Sequence, residues 1–324
     1  MHRYTLLAGL LIIFVGLVTF VAPTDPDVWW HLRNGKLILD SGVPSHDVYS
    51  FTAQGRPWLV QEWLTEVVMY GLNSLFGYGV LSLLFGLLQA VGGLAVYLLV
   101  RGRGAGRVLS LLLMMLYFVF ATPSWGVRPQ VLTAVFLGGF YLALTAYKLN
   151  PAHIRLLYAL PPAMLLWTNL HASYFMGIAL IAVFIVGEFA NNRLYRSAGG
   201  GGPVADEGRG TRDNAVVEPS SLPPSSLVPR PSSGTSIRPL LVTLAACLAA
   251  TLFNPYFLEL WTYPLTYALH GTSNPLLRYT QEWQSPNFHE PINLIFALTL
   301  ILLALIGIKG LSRSMSGSGL RAKR

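Results

Sequence analysis

Charge is scarce in this chain. Only 11% of its 324 residues are Asp, Glu, Lys or Arg, where soluble domains carry about 25%. With 53% hydrophobic residues and a mean hydropathy of +0.52, the composition predicts a membrane protein. Cysteine is nearly absent: Cys247 stands alone inside an apolar run, which excludes an intramolecular disulfide and a cysteine-rich metal cluster. Acids are fewer than bases, leaving a formal charge of +8. That excess would suit a nucleic-acid binder, but the basic residues sit in short loops beside apolar runs, as membrane topology requires. The expected partner is a lipid bilayer, not a nucleic acid.

Long apolar runs are what the chain does have. A bilayer span needs roughly 20 mostly apolar residues, and such runs lie at 5–22, 79–100, 107–122, 128–147, 154–169, 172–190, 239–254 and 291–308. The fold class expected is an all-α polytopic membrane protein with about eight spans. Thr5–Ala22 is longer than a signal core, and Phe20-Val21-Ala22 is a poor cleavage site, so an uncleaved anchor is expected. The stretch from Leu156 to Ala190 is too long for one helix. Asn169-Leu170-His171-Ala172-Ser173 is its polar break, and Pro161-Pro162 should kink the helix before it.

These runs divide the chain into an N-terminal transmembrane module (1–196) with a long loop at 23–78, a linker (197–237), a C-terminal transmembrane module (238–310) with a loop at 255–290, and a basic tail (311–324). The linker is Gly/Ser/Pro-rich and is expected to be disordered. With the N-terminus in the cytoplasm, seventeen of the 22 basic residues face inward. Arg33, Lys36, Arg56, Arg128 and Arg278 face outward. The bias holds at every loop, so both termini are expected on the cytoplasmic side of a bacterial-type inner membrane.

Nine of the fourteen acids then fall outside. The first outer loop opens with TDPDVWWHLRNG, where Asp25 and Asp27 flank Pro26. Val28–Leu39 reads as an interface-lying helix, Val48–Leu59 as a small hairpin around Gln54-Gly55, and Gln61–Phe76 as a second amphipathic helix. Glu62 and Glu66 lie one turn apart on the same face of that second helix.

A long first outer loop with an acidic pair and two interface helices, followed by many spans with short connections, resembles the glycosyltransferase C superfamily of integral membrane transferases. The stretch DPDVWWHLRNGKLILDSGVPSHDVYSFTAQGRPW is also similar to the first loop of oligosaccharyltransferase catalytic subunits. The resemblance implies a membrane glycosyltransferase that takes a sugar from a polyprenyl-phosphate-linked donor to a cell-envelope acceptor on the outer face. It places Asp27, or its neighbour Asp25, where the family has a catalytic or metal-binding carboxylate. The chain departs from oligosaccharyltransferases in two ways. Its next outer loop, TPSWGVRP, carries no acid, and a Trp-Trp-Asp motif is missing, so protein N-glycosylation is not expected. The competing reading is a non-catalytic glycolipid-binding or lipid-linked sugar transport protein on the same scaffold.

Transfer from a lipid phosphate needs a carboxylate to take the acceptor's proton and a cation to stabilise the departing phosphate. Asp25 and Asp27 are candidates for the base, or for holding a divalent cation, Mg or Mn. The structural alternative makes Asp25 an N-cap, Pro26 the first helical residue and Asp27 a first-turn acid complementing the helix dipole. Arg128, at one end of the 128–147 run, is a candidate phosphate ligand or a snorkelling cation, and Arg278 is a second of the same kind. His171 lies in the polar break and Glu282 in QEWQSP; both are candidate substrate contacts or solvated loop residues. Trp30 is either a sugar-stacking platform or, with Trp29, an interface anchor. Glu62 is expected to pair with Arg56 or Arg33.

Overall fold

The computed structural model describes residues 9, 26–52, 54–122, 125–197, 236–262, 265, 287, 289–291, 293–302 and 304–305. Asp25, Arg278 and Glu282 lie outside the described residues, as do the first apolar run apart from Gly9, the linker from 198 to 235, and the tail.

Helix α1 (Asp27–Ser41) begins one residue later than the capping scheme placed it. Pro26 occupies the cap position at φ −64° with no side-chain cap bond, and Asp27 is the acid of the first turn. Proline tolerates this place because its fixed φ is already helical and its missing N–H would have had no partner there. Val28, Leu32, Gly35 and Ile38 form the buried stripe of α1, at the spacing of one helix face.

Helix α2 (Trp63–Gly102) consists of two helical stretches that meet at Gly77, the amphipathic helix of the loop and the second apolar run, separate as expected. The chain turns at Gly77 (φ 80°, ψ 169°), a conformation that glycine adopts without the penalty of a Cβ. The expected hairpin is instead a single antiparallel bridge, His46 to Pro57, and no strand forms among the described residues. The loop is closed by Asp47. Its carboxylate accepts from the backbone N–H groups of Tyr49 and Ser50, each at 2.8 Å, which stabilises a turn in place of a ladder.

Helices α3 (Arg107–Phe120) and α4 (Val131–Leu149) follow. The 154–169 run is not one kinked helix. A 3-10 turn (Pro151–Ile154) leads to the one-turn α5 (Arg155–Tyr158), the chain passes through Ala159, and α6 (Leu160–Leu170) begins anew. Pro161 sits at the start of α6, where a proline removes no helical hydrogen bond; the proline pair therefore starts a helix instead of bending one. After a second 3-10 turn (Ala172–Tyr174) comes α7 (Phe175–Ser197), and α8 (Arg238–Ala250) follows the linker.

The described residues are therefore mostly helical, and among them three helices are long and apolar enough to cross a membrane: Trp63–Gly102, Val131–Leu149 and Ala172–Arg193. Arg107–Phe120, Arg238–Ala250 and Asn293–Leu302 are shorter apolar helices. The largest core joins Phe140, Leu144, Met164, Trp167 and Tyr174 with Cys247, Tyr256 and Leu260, so residues after the linker pack into the same core as those before it. A second core places Val28 and Leu32 of α1 with Met69, Leu81 and Phe85 of α2 and with Val127 and Val131.

Candidate functional site

Gly35 sets the distance between α1 and the first turns of α2. A Cβ at this position would lie 2.1 Å from the Glu66 carbonyl oxygen, so only glycine lets the two backbones meet this closely. That contact brings the polar residues beside Gly35 onto Glu66. His31 Nδ1 lies 3.0 Å from Glu66 Oε1, and Asn34 Nδ2 donates to Glu66 Oε2. Glu66 is 3% exposed and Asn34 fully buried, so the carboxylate meets the requirement that a buried charge be hydrogen-bonded. The Tyr49 hydroxyl donates to Asn34 Oδ1 at 3.5 Å.

One turn back on α2, Glu62 extends the cluster. Its Oε2 lies 3.9 Å from His31 Nδ1 and its Oε1 3.1 Å from His171 Nε2. His171 is held by the 3-10 turn it caps. Ser173 N donates to its Nδ1 at 3.1 Å, and the Ser173 hydroxyl is 2.7 Å away. Ser173 Oγ in turn meets Thr133 Oγ1 at 2.7 Å and accepts from Trp167 Nε1 at 3.1 Å. Because a backbone N–H points at Nδ1, that nitrogen is an acceptor, and the neutral ring carries its proton on Nε2, aimed at Glu62. At His31 the partner is a carboxylate, which accepts, so Nδ1–H donates a hydrogen bond to Glu66. Its Nε2 is then the nitrogen able to take a proton.

The polar break and the loop are joined by further bonds. Trp63 Nε1 donates to Asn169 Oδ1 at 3.0 Å, and Thr65 Oγ1 to the Leu170 carbonyl at 2.6 Å. The Tyr256 hydroxyl accepts from Val60 N at 2.8 Å and donates to the Pro44 carbonyl at 2.9 Å. The glutamates and histidines are therefore fixed by elements that are far apart in the chain. Beside Glu62, Gln61 Oε1 is buried and accepts no hydrogen bond among the described residues.

Burial pulls His31 down, but the hydrogen bond to Glu66 and the charges of Glu62, Glu66 and Asp27 outweigh it. The imidazolium is held above its ordinary value of 6.5. Asp47 is held below the usual carboxylate range by its hydrogen bonds from Ser50 and Tyr49.

The residues singled out in the sequence are distributed as follows. His171 is in the cluster. Asp27 is exposed at the head of α1, and its charge acts on His31. Arg128 is half-buried, and its neighbour Val127 shares a core with Val28, the neighbour of Asp27. Trp30, 42% exposed, packs on Tyr49 (ring centroids 4.4 Å apart) and Trp58 (6.1 Å), while Trp29 stacks on Tyr78 at 5.9 Å. Glu62 pairs with histidines, not with Arg56 or Arg33, because α1 and the 169–174 break flank it directly. His31, Asn34, Glu66 and Ser173 were not singled out as site residues. Ser173 belongs to the polar break already read in the sequence; for the others the available signal is spacing, since Asp27, His31 and Asn34 fall on one face of α1, as Glu62 and Glu66 do on α2. Among the described residues no group of three or more His, Cys, Asp or Glu side chains is arranged to hold a metal ion.

No protein-family model matches the chain, no curated protein matches it, and no solved structure matches it.

Proposed function

We propose that this protein is a polytopic membrane transferase of about eight spans that moves a sugar from a polyprenyl-phosphate-linked donor to a hydroxyl acceptor on the outer face of the cytoplasmic membrane. The observation that carries the reading is the His31–Glu66 pair, tied through Glu62 to His171, where the loop meets the polar break. A carboxylate that fixes Nδ1–H of an imidazole leaves Nε2 as a general base, the role such a pair plays in nucleophile activation. The hydrogen bond to Glu66 and the charges of Glu62, Glu66 and Asp27 raise the His31 pKa against the effect of burial, which makes the imidazole a stronger base.

In this reading His31 takes the proton of the acceptor hydroxyl, and Glu66 stabilises the imidazolium that forms. Glu62 and His171 hold the base in place. Gln61 Oε1, buried and without a donor among the described residues, offers an acceptor to a second sugar hydroxyl. Arg128 takes the donor phosphate, which a guanidinium binds bidentately. Asp27 acts through its charge on His31. Trp30, with Tyr49 and Trp58, presents aromatic faces to the sugar ring or to the interface. Asp25 and Asp27 would hold a divalent cation, Mg or Mn, that supplies positive charge near the donor phosphate.

The test is to incubate membranes from a deletion strain, with and without the restored protein, with radiolabelled polyprenyl-phosphate sugars, and to compare the strain's glycolipids and surface glycans with wild type. A sugar missing in the deletion strain and transferred in the restored membranes supports the reading. Unchanged glycans with altered distribution of the lipid-linked sugar across the membrane would favour the transport alternative.

A further inference from the structure

Between α2, α3 and α4 lies a cavity of about 540 Å³, within the ~300–1,000 Å³ range of small-molecule sites. Much of its wall is hydrocarbon, including Val96, Leu99, Leu137 and Leu180. Gln89 of α2 also lines it, is only 2% exposed, and has no hydrogen-bond partner for Nε2 among the described residues. The same holds for the hydroxyl of Tyr117 on α3. A Cβ at Gly92 would lie 2.1 Å from that hydroxyl, so a glycine makes the room that seats it. Burying an amide or a hydroxyl without a partner is unfavourable, and two such groups on one apolar cavity call for an acceptor.

The cavity also has a direction. Gln130 and Thr133, at the start of α4, line it, and Thr133 Oγ1 bonds Ser173 Oγ at 2.7 Å beside His171. This end therefore adjoins the polar cluster. Leu99 lies roughly 15 Å further along α2 from Gln89 at 1.5 Å per residue. A plain hydrocarbon or isoprenoid tail fills such a space but offers no acceptor. An ester lipid offers a carbonyl near its headgroup and an alkyl chain below it.

We propose that the cavity binds one acyl chain of an ester lipid drawn from the leaflet on the α1 side. Its ester carbonyl accepts from Gln89 Nε2 and from the Tyr117 hydroxyl, and its chain runs toward Leu99. The site is one of binding, and it stands whether or not the protein transfers a sugar.

The test uses the full chain, purified and delipidated in detergent, with thermal unfolding followed by tryptophan fluorescence. Dioleoyl phosphatidylglycerol, its diether analogue without carbonyls, and a benzoquinone lipid are added in turn. The ester lipid should stabilise wild type at a concentration about tenfold lower than the diether, the difference a pair of modest hydrogen bonds makes. Gln89→Leu/Tyr117→Phe removes both unpartnered donors and leaves no buried polar group behind, so it should fold and respond equally to both lipids. Equal responses of wild type to ester and ether, or a preference that survives in the double variant, would overturn the proposal. A stronger response to the quinone than to the ester would overturn the acyl assignment.

Discussion

Replacing Gly35 with alanine should separate α1 from α2 and disconnect the candidate base from its carboxylate. The new Cβ would meet Glu66 O at 2.1 Å, Glu66 C at 2.6 Å and Tyr70 Cβ at 2.9 Å. Two of these are backbone atoms within a helix and cannot rotate aside. To restore an ordinary contact of ~3.5–4.0 Å, α1 must lift by about 1.5 Å. Overpacking alone costs about 1–3 kcal/mol. The lift also stretches the 3.0 Å His31–Glu66 contact and the Asn34–Glu66 bond, and hydrogen bonds to charged groups are worth about 1.5–3 kcal/mol. A total loss of about 3–5 kcal/mol follows. Gly71→Ala is the control: it lies in α2, the partner helix, with nothing within 4 Å of its Cβ, so it should gain about 0.5–1 kcal/mol from helix propensity. Chemical denaturation of both variants in the same detergent measures the difference. Equal stability of the two would refute the claim that Gly35 sets the helix separation.

A double-mutant cycle on Glu62→Gln and His171→Ala should give a coupling of about 0.5–3 kcal/mol, reflecting their 3.1 Å contact; additive effects would mean the pair does not interact. His31 is held above 6.5 in the folded protein, so its contribution to stability is fully present below pH 6.5 and is lost as pH rises through the folded value. Melting temperatures measured from acid to alkaline pH should therefore fall across that window in wild type and less so in His31→Gln. Asp27→Asn removes one of the charges that raise His31, so it should shift this transition to lower pH without unfolding the protein. Lys148 Nζ lies 2.5 Å from Glu188 Oε1, with Glu188 2% exposed side chain and Lys148 46%. Lys148→Met should cost about 2 kcal/mol, less than the ~3–5 kcal/mol of a fully buried pair because the lysine is half in solvent, and Glu188→Leu should recover part of it.

Apolar length and loop polarity made most helices legible in the sequence. The helix at the head of the first loop, the second helix from about Gln61, and the break at Asn169–Ser173 are all present, because each follows from periodicity or from a polar interruption within a few residues. The separation of the loop helix from the second apolar run near position 77 was legible, although the positive φ of Gly77 that makes it was not. Nor was the proline pair at 161–162, whose effect depends on where the helix begins. In the site, His171 was legible as a polar residue in an apolar context, and the Glu62/Glu66 spacing was visible. Their partners were not. Glu62 meets His31 and His171 through contacts that span 31 and 109 positions of the chain, and local pattern carries no information about such pairings. Asp27 stood out by its motif, whereas the buried Glu66 and Asn34 are identified by burial and geometry.

In the proposed function His31, oriented by Glu66, is the base of a transfer reaction. The most direct measurement is the rate of sugar transfer from a polyprenyl-phosphate donor by wild type and His31→Gln in membranes across pH, with insertion checked in parallel. The expected result is a loss of roughly 10²–10⁴-fold in the variant and a wild-type rate that climbs as pH rises through the His31 value above 6.5. A His31→Gln protein that inserts and keeps the wild-type rate and pH profile would contradict it.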